Sequence, residues 1–312
     1  MLNIRQFEPQ ITQILLENGK LIEVFTEESS QQITPLPEEH AEPPAIPAAG
    51  EQVQPSPKPE WWVNWIDVGI ALAAWVVSLI LLAFVPLIYA LPYLIFRIAK
   101  AGAPSPEVLV SDKMLIFFSV AGILPTHMLT FVLVWAIVSY AGRRPFWKNI
   151  DFDWPPNSSH AMTTMVSVVL ACVLFSLAYL ITLSYGERKT DLDLMIESSI
   201  YTRFATAFVA VVTAPLVEEL IYRGLIYKAL EKAAGVAIAI VMVSLLFAGV
   251  HVWQYRNNLA VITVITLLSI TLTVARAVSG KVLPAFIIHL VFNGIQSVLI
   301  VVQAFVNKDL LK

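Results

Sequence analysis

The sequence predicts an all-α membrane protein, a polytopic bundle of about seven transmembrane helices behind a soluble, mostly disordered N-terminal tail. Three observations lead to that class. Hydrophobic residues make up 57% of the 312-residue chain and charged residues only 14%, whereas soluble domains carry about a quarter charged. The apolar residues gather into seven runs, each near the roughly 20 residues needed to cross a ~30 Å hydrocarbon layer. Residues 1–60 have the opposite character, with three Lys/Arg against ten Glu and nine of the 19 prolines.

The elements follow in chain order. Residues 1–60 bury too little apolar surface to offset their ordering entropy and are expected to be a disordered, partly polyproline-II segment, with at most a small helix or hairpin in the first thirty. At residue 61 the stretch WWVNW marks a membrane interface, and the uncharged run 68–96 is the first spanning helix, which Pro86 and Pro92 should kink or end. Further spans are expected at about 114–140, 161–185, 204–227, 235–252, 259–275 and 282–305. Short polar breaks such as EKAAG, WQYRNN and RAVSGK make consecutive helices antiparallel neighbours. This gives three regions: a tail (1–60), helices one to three (61–195), and a four-helix core (196–312).

Several function classes drop out at this level. The net charge of -3 arises largely from the tail and leaves no basic surplus for nucleic acid. The single cysteine, Cys172, lies in an apolar run, which excludes an internal disulfide and a cysteine-based metal site. The opening residues lack the continuous apolar core of a cleavable signal peptide. Lys and Arg are nearly balanced between alternate loops, so the positive-inside rule does not orient the chain. No internal repeat of the kind that builds inverted-repeat transporters is visible.

The last four spans contain an unexpected set of polar groups. Helix four carries Glu218, Glu219 and Arg223; helix five carries Phe247 and His251; helix seven carries His289 and Asn293. Three charges at bilayer depth would cost roughly 8 kcal/mol on insertion scales, so they must face a polar interior. Positions four apart share a helix face, so Glu219 and Arg223 pair while Glu218 points about 100° away. By the same spacing His289 and Asn293 present two groups to one point, and Phe247 sits one turn before His251, placed to shield that face from lipid.

Depth agrees with a single cluster. Glu218 lies fourteen residues before Lys232 and His251 sixteen after Gly235, about 21 and 24 Å along the two axes. His289 is only eight residues past Lys281, about 12 Å, a mismatch removed if the helix four–five hairpin projects beyond the bilayer. The expectation is one site formed by Glu218, Glu219, His251, His289 and Asn293, about 10 Å from one membrane face.

Such a site contains what peptide hydrolysis requires: a base to activate water, donors for the oxyanion, and an acid for the leaving amine. Glu218, desolvated beside a second carboxylate, is expected to have a raised pKa suited to a general base, while Glu219 stays ionised against Arg223. His251 would hold the water or protonate the leaving nitrogen; His289 and Asn293 would polarise the scissile carbonyl.

The three motifs, Glu-Glu-x-x-x-Arg at 218–223, Phe-x-x-x-His at 247–251 and His-x-x-x-Asn at 289–293, resemble in order and helix placement those of the CAAX prenyl protease and bacteriocin-processing (CPBP, Abi) intramembrane proteases. The resemblance spans residues 200 to 300 and implies a glutamate-dependent endopeptidase. In it the first Glu and first His activate water, the second His and the Asn form the oxyanion hole, and the Arg supports the second Glu. It also implies membrane lipid and membrane-anchored peptide or protein substrates as partners. No cofactor is required on this account. The alternative is a zinc enzyme with Glu218, His251 and His289 as ligands, since such side chains also satisfy tetrahedral zinc. A non-catalytic binding, immunity or transport protein using the same polar cluster is the remaining alternative. Tyr222 is assigned to packing, and His127 and His160 to structural or solvated roles outside the cluster.

Overall fold

Among the described residues, six helices long and apolar enough to cross a membrane, and one shorter apolar helix, follow the seven apolar runs. The computed structural model describes residues 61–185 and 189–306, and among these there is no strand. The expectations for the tail, and for the side chains of Trp61 and Trp62, lie outside the described residues; Trp65 is exposed, as an interfacial residue should be. These helices are α1 (Trp61–Ala101), α2 (Lys113–Ser139), α3 (His160–Tyr185), α4 (Ile200–Ala234), α5 (Val236–Tyr255), α6 (Leu259–Ser279) and α7 (Leu283–Val306), α5 being the one with the shorter apolar stretch. Their outer surfaces expose Phe84, Leu87, Ile88, Leu180 and Leu245. Such broad apolar exposure suits lipid and not water. The chain is therefore an integral multi-pass membrane protein.

The structure corrects the expected limits of two helices. α1 runs through Pro86 and Pro92 for 41 residues and does not end at Phe96. Neighbouring helices stabilise proline turns in spanning helices, and here Gly122, the one-residue interruption within α2, packs on Pro86 so tightly that a Cβ would stand 2.6 Å from the Pro86 Cα. α4 continues to Ala234, seven residues beyond the expected end at 227, because its last turns are amphipathic and carry Lys228, Glu231 and Lys232 on a wet face. Gly235, with φ +87°, then reverses the chain into α5.

The breaks contain structure of their own. Asp112 caps α2, accepting from the Met114 and Leu115 amides, and binds Arg97 at 2.6 Å and the Tyr93 hydroxyl at 3.0 Å. Burial alone would raise the Asp112 pKa, but hydrogen bonds from Leu115, Tyr93, Met114 and Arg97 together hold it below the usual carboxylate range. The segment before α4, expected to be a loop, forms a short helix, Asp191–Ser198, nucleated by a capping box between Thr190 and Asp193.

Two apolar clusters fix the relative positions of the helices. One gathers Ile150, Leu220, Ile226, Tyr227, Val243 and Phe247 around α4 and α5; the other joins Ala171, Leu272, Ile288 and Phe292 between α3, α6 and α7. A loop residue, Asp151, sets the register of α4 against α7. Its carboxylate binds Lys228 at 2.9 Å and Arg276 at 3.1 Å, and its carbonyl accepts the Val282 amide at 2.9 Å. Lys228 and the start of α7 therefore lie at one level, with the α4–α5 turn beyond it. This is the projection that the depth of His289 required.

Candidate active site

α4 is not a uniform helix where it matters. A π turn at Val209–Thr213 precedes the α-helical stretch Ala214–Glu219, and a second at Leu220–Ile226 follows it. π turns shift the hydrogen-bond ladder by one residue and are common at functional sites. In each, a side chain from another helix takes up a carbonyl: Asn293 Nδ2 donates to Ala210 O at 3.0 Å, and Arg276 Nε donates to Arg223 O at 3.1 Å.

Glu219, at the end of the α-helical stretch, and Arg223, in the second π turn, form the expected i, i+4 ion pair at 3.0 Å, both side chains 0% exposed. A buried pair is tolerated only when its remaining hydrogen-bonding groups are satisfied. α6 satisfies Arg223: Nη2 donates to Ser269 O at 3.0 Å and Ser269 Oγ at 3.1 Å, and Nε to Thr273 Oγ1 at 3.3 Å. The guanidinium also lies 4.6 Å from the Phe247 ring centroid. Glu219 Oε1 accepts in addition from His289 Nδ1 at 2.8 Å.

His289 thus links the two glutamates. Its Nδ1 is held by Glu219, and its Nε2 stands 3.7 Å from Glu218 Oε2. Glu218, rotated off the paired face, keeps 27% of its side chain exposed and lines a cavity of about 420 Å³. His251, His289 and Asn293 line the same cavity, which falls within the size range of ligand pockets, about 300–1,000 Å³. His251 donates Nδ1–H to the Phe247 carbonyl at 2.9 Å, because a carbonyl can only accept; its Nε2 then carries the lone pair. All six expected residues are thereby brought to one locality, with Glu218, His251, His289 and Asn293 at the cavity wall and Glu219 and Arg223 behind it.

Three side chains differ from expectation. Phe247 does not shield the site from lipid: it is 2% exposed and forms an internal partition, its ring centroid 5.0 Å from that of His251 and 5.9 Å from that of His289. Tyr222 does more than pack, since its hydroxyl accepts from Trp75 Nε1 at 2.9 Å. His127 is not remote from the site, because it lines a second cavity together with Glu218 and His251. His160, exposed and stacked on Trp154, has the peripheral place assigned to it.

Among the described residues no group of three His, Cys, Asp or Glu side chains is placed to hold a metal ion. His251 and His289 each direct Nδ1 to a protein acceptor, the Phe247 carbonyl and the Glu219 carboxylate, and keep Nε2 for a further partner. Ser269, Thr273 and Arg276, which hold Arg223, were missed by sequence reasoning. The signal was present as a polar stripe at i, i+4 and i+7 of an otherwise apolar helix.

Comparison with known proteins gives a matching result. No curated protein and no solved structure matches the chain. A family model, type II CAAX prenyl endopeptidase Rce1-like, matches residues 200–295, a window that opens with α4 and closes just past Asn293. The segment that carries Glu218, His251, His289, Asn293 and the buried ion pair is thus similar to the Rce1-like type II CAAX prenyl endopeptidases.

Proposed function

We propose that the protein is an intramembrane endopeptidase that hydrolyses membrane-anchored peptide or protein substrates with a glutamate-activated water. The observation that carries this is the placement of Glu218. It is the carboxylate left outside the Arg223 pair, at the wall of a 420 Å³ cavity with His251, His289 and Asn293 around it.

The steps follow from those groups. Glu218 takes a proton from water, and the hydroxide adds to the scissile carbonyl carbon. His251, its Nε2 free to accept, orients that water. Negative charge develops on the carbonyl oxygen and is met by an N–H at Nε2 of His289 and by the second amide hydrogen of Asn293. Glu219 holds His289 at Nδ1, and Arg223 is the buried ion-pair partner of Glu219. Collapse of the tetrahedral intermediate breaks the C–N bond as the proton held by Glu218 passes to the leaving nitrogen. No step uses a metal.

The test is cleavage of a membrane-anchored peptide library by the full-length protein in lipid nanodiscs, comparing wild type with Glu218→Gln and His289→Ala. Loss of about 10²-fold or more in rate with either substitution is expected. A folded wild type that cleaves nothing across the library would move the assignment to a binding or immunity role.

A further inference from the structure

Glu218 and His251 separate two cavities. Across them from the 420 Å³ cavity lies a second of about 190 Å³, bounded by α1, α2, α4 and α5. A peptide occupying the larger cavity covers the face of Glu218 that bears His289 and Asn293. Each hydrolysis nevertheless consumes one water, which must then arrive from elsewhere.

The smaller cavity is equipped for water. Ser78 Oγ donates to Ala74 O at 2.8 Å and Thr126 Oγ1 to Gly122 O at 2.9 Å, so each hydroxyl has used its proton and offers lone pairs. The Tyr222 oxygen already accepts from Trp75, leaving its own O–H to donate. His127 Nδ1 lies 2.7 Å from Thr213 Oγ1, and Thr213 donates to Val209 O at 3.4 Å. The proton between the first two therefore belongs to His127 Nδ1, and Nε2 is an acceptor. A bound water needs two to four polar partners and shares about 30 Å³ of liquid, so this cavity has donors, acceptors and room for several. A lipid chain would leave those groups unsatisfied. The histidine is also tethered to the strand of chain that carries the base, since Thr213 closes the π turn five residues before Glu218.

We propose that the 190 Å³ cavity supplies the hydrolytic water and that His127 is a positioning residue, holding that water beside Glu218 and His251 until it passes between them to the face that meets the peptide. This rests on the endopeptidase reading, and the test separates the two.

Full-length protein in nanodiscs would be footprinted by X-ray radiolysis in ¹⁸O-labelled water, and the same preparation assayed for cleavage. Label on His127 and Tyr222 is expected. His127→Leu should lower kcat about 10-fold or more with KM unchanged, and His127→Gln, which keeps a donor to Thr213, should recover most of the loss. Absence of label on both residues in a folded protein overturns the water site whether or not the protein cleaves. Full kcat in His127→Leu, in a preparation where Glu218→Gln is inactive, overturns the positioning role. A labelled cavity in a wild type that cleaves nothing overturns the endopeptidase reading, and the role of His127 with it.

Discussion

Glu219→Gln separates stability from chemistry in this site. The substitution leaves Arg223, 0% exposed, without its counter-charge, while its bonds to Ser269 and Thr273 remain. It also places an amide group where Glu219 Oε2 is now buried without a hydrogen-bond partner among the described residues. Breaking a buried pair by removing one partner costs about 3–5 kcal/mol. At roughly 2–4 °C per kcal/mol for a domain of this size, the unfolding midpoint should fall by about 10 °C. Tryptophan fluorescence in nanodiscs gives the midpoint directly, since the chain has 8 Trp. Glu218→Gln is the matched control: its carboxylate lies at the cavity wall, outside the Arg223 ion pair, so the midpoint should move by less than about 2 °C while cleavage is lost. Equal midpoints for wild type and Glu219→Gln, or an equally large fall in Glu218→Gln, would refute the division of labour between the two glutamates.

Other outcomes follow from the same contacts. Gly224→Ala puts a Cβ 2.4 Å from Ile150 Cγ1 and should cost about 1–3 kcal/mol, and less than that when introduced into an Ile150→Ala background; a fully stable single variant would contradict the packing. Arg276→Met removes the bonds to Arg223 O and Asp151, and should lower both the midpoint and the cleavage rate although it lies outside the cavity wall. Asp112 has a depressed folded pKa, so its contribution is present above its unfolded value of about 3.9 and lost as pH falls through the folded value. Asp112→Asn should therefore flatten the acid limb of a stability–pH curve, and an unchanged limb would count against the cap. Cleavage should survive exhaustive chelation; loss restored by added zinc would replace the metal-free mechanism.

The sequence carried the fold because lipid enforces it: a spanning segment must satisfy its own backbone, so seven apolar runs imply seven helices. Glu218, Glu219, Arg223, His251, His289 and Asn293 were legible for a related reason, since ionisable groups at such depth are expensive without a use. Less visible were features that depend on contact between distant segments. Pro86 reads as a break until Gly122 is seen packed on it, and Lys228 reads as a helix end until Asp151 is seen to bind it. His127 was set aside because one sequence position does not disclose which cavity it borders. Ser269 and Thr273 look like ordinary hydroxyls of a membrane helix, and only a buried guanidinium gives them a purpose.

The two π turns make the spacing of α4 as consequential as its side chains. Each holds one residue more than a regular ladder accommodates, so deleting one residue from Val209–Thr213 would let the helix relax to ordinary winding. The segments on either side would keep nearly the same phase, because the wider turn is what absorbs the extra residue, and the loss would fall on the local contact. Asn293 would lose the carbonyl it holds with every functional side chain still present. A search for weakened relatives of this chain should accordingly compare loop-free helix lengths as well as motif letters, because a deletion of this kind would free Asn293 while leaving all three motifs intact.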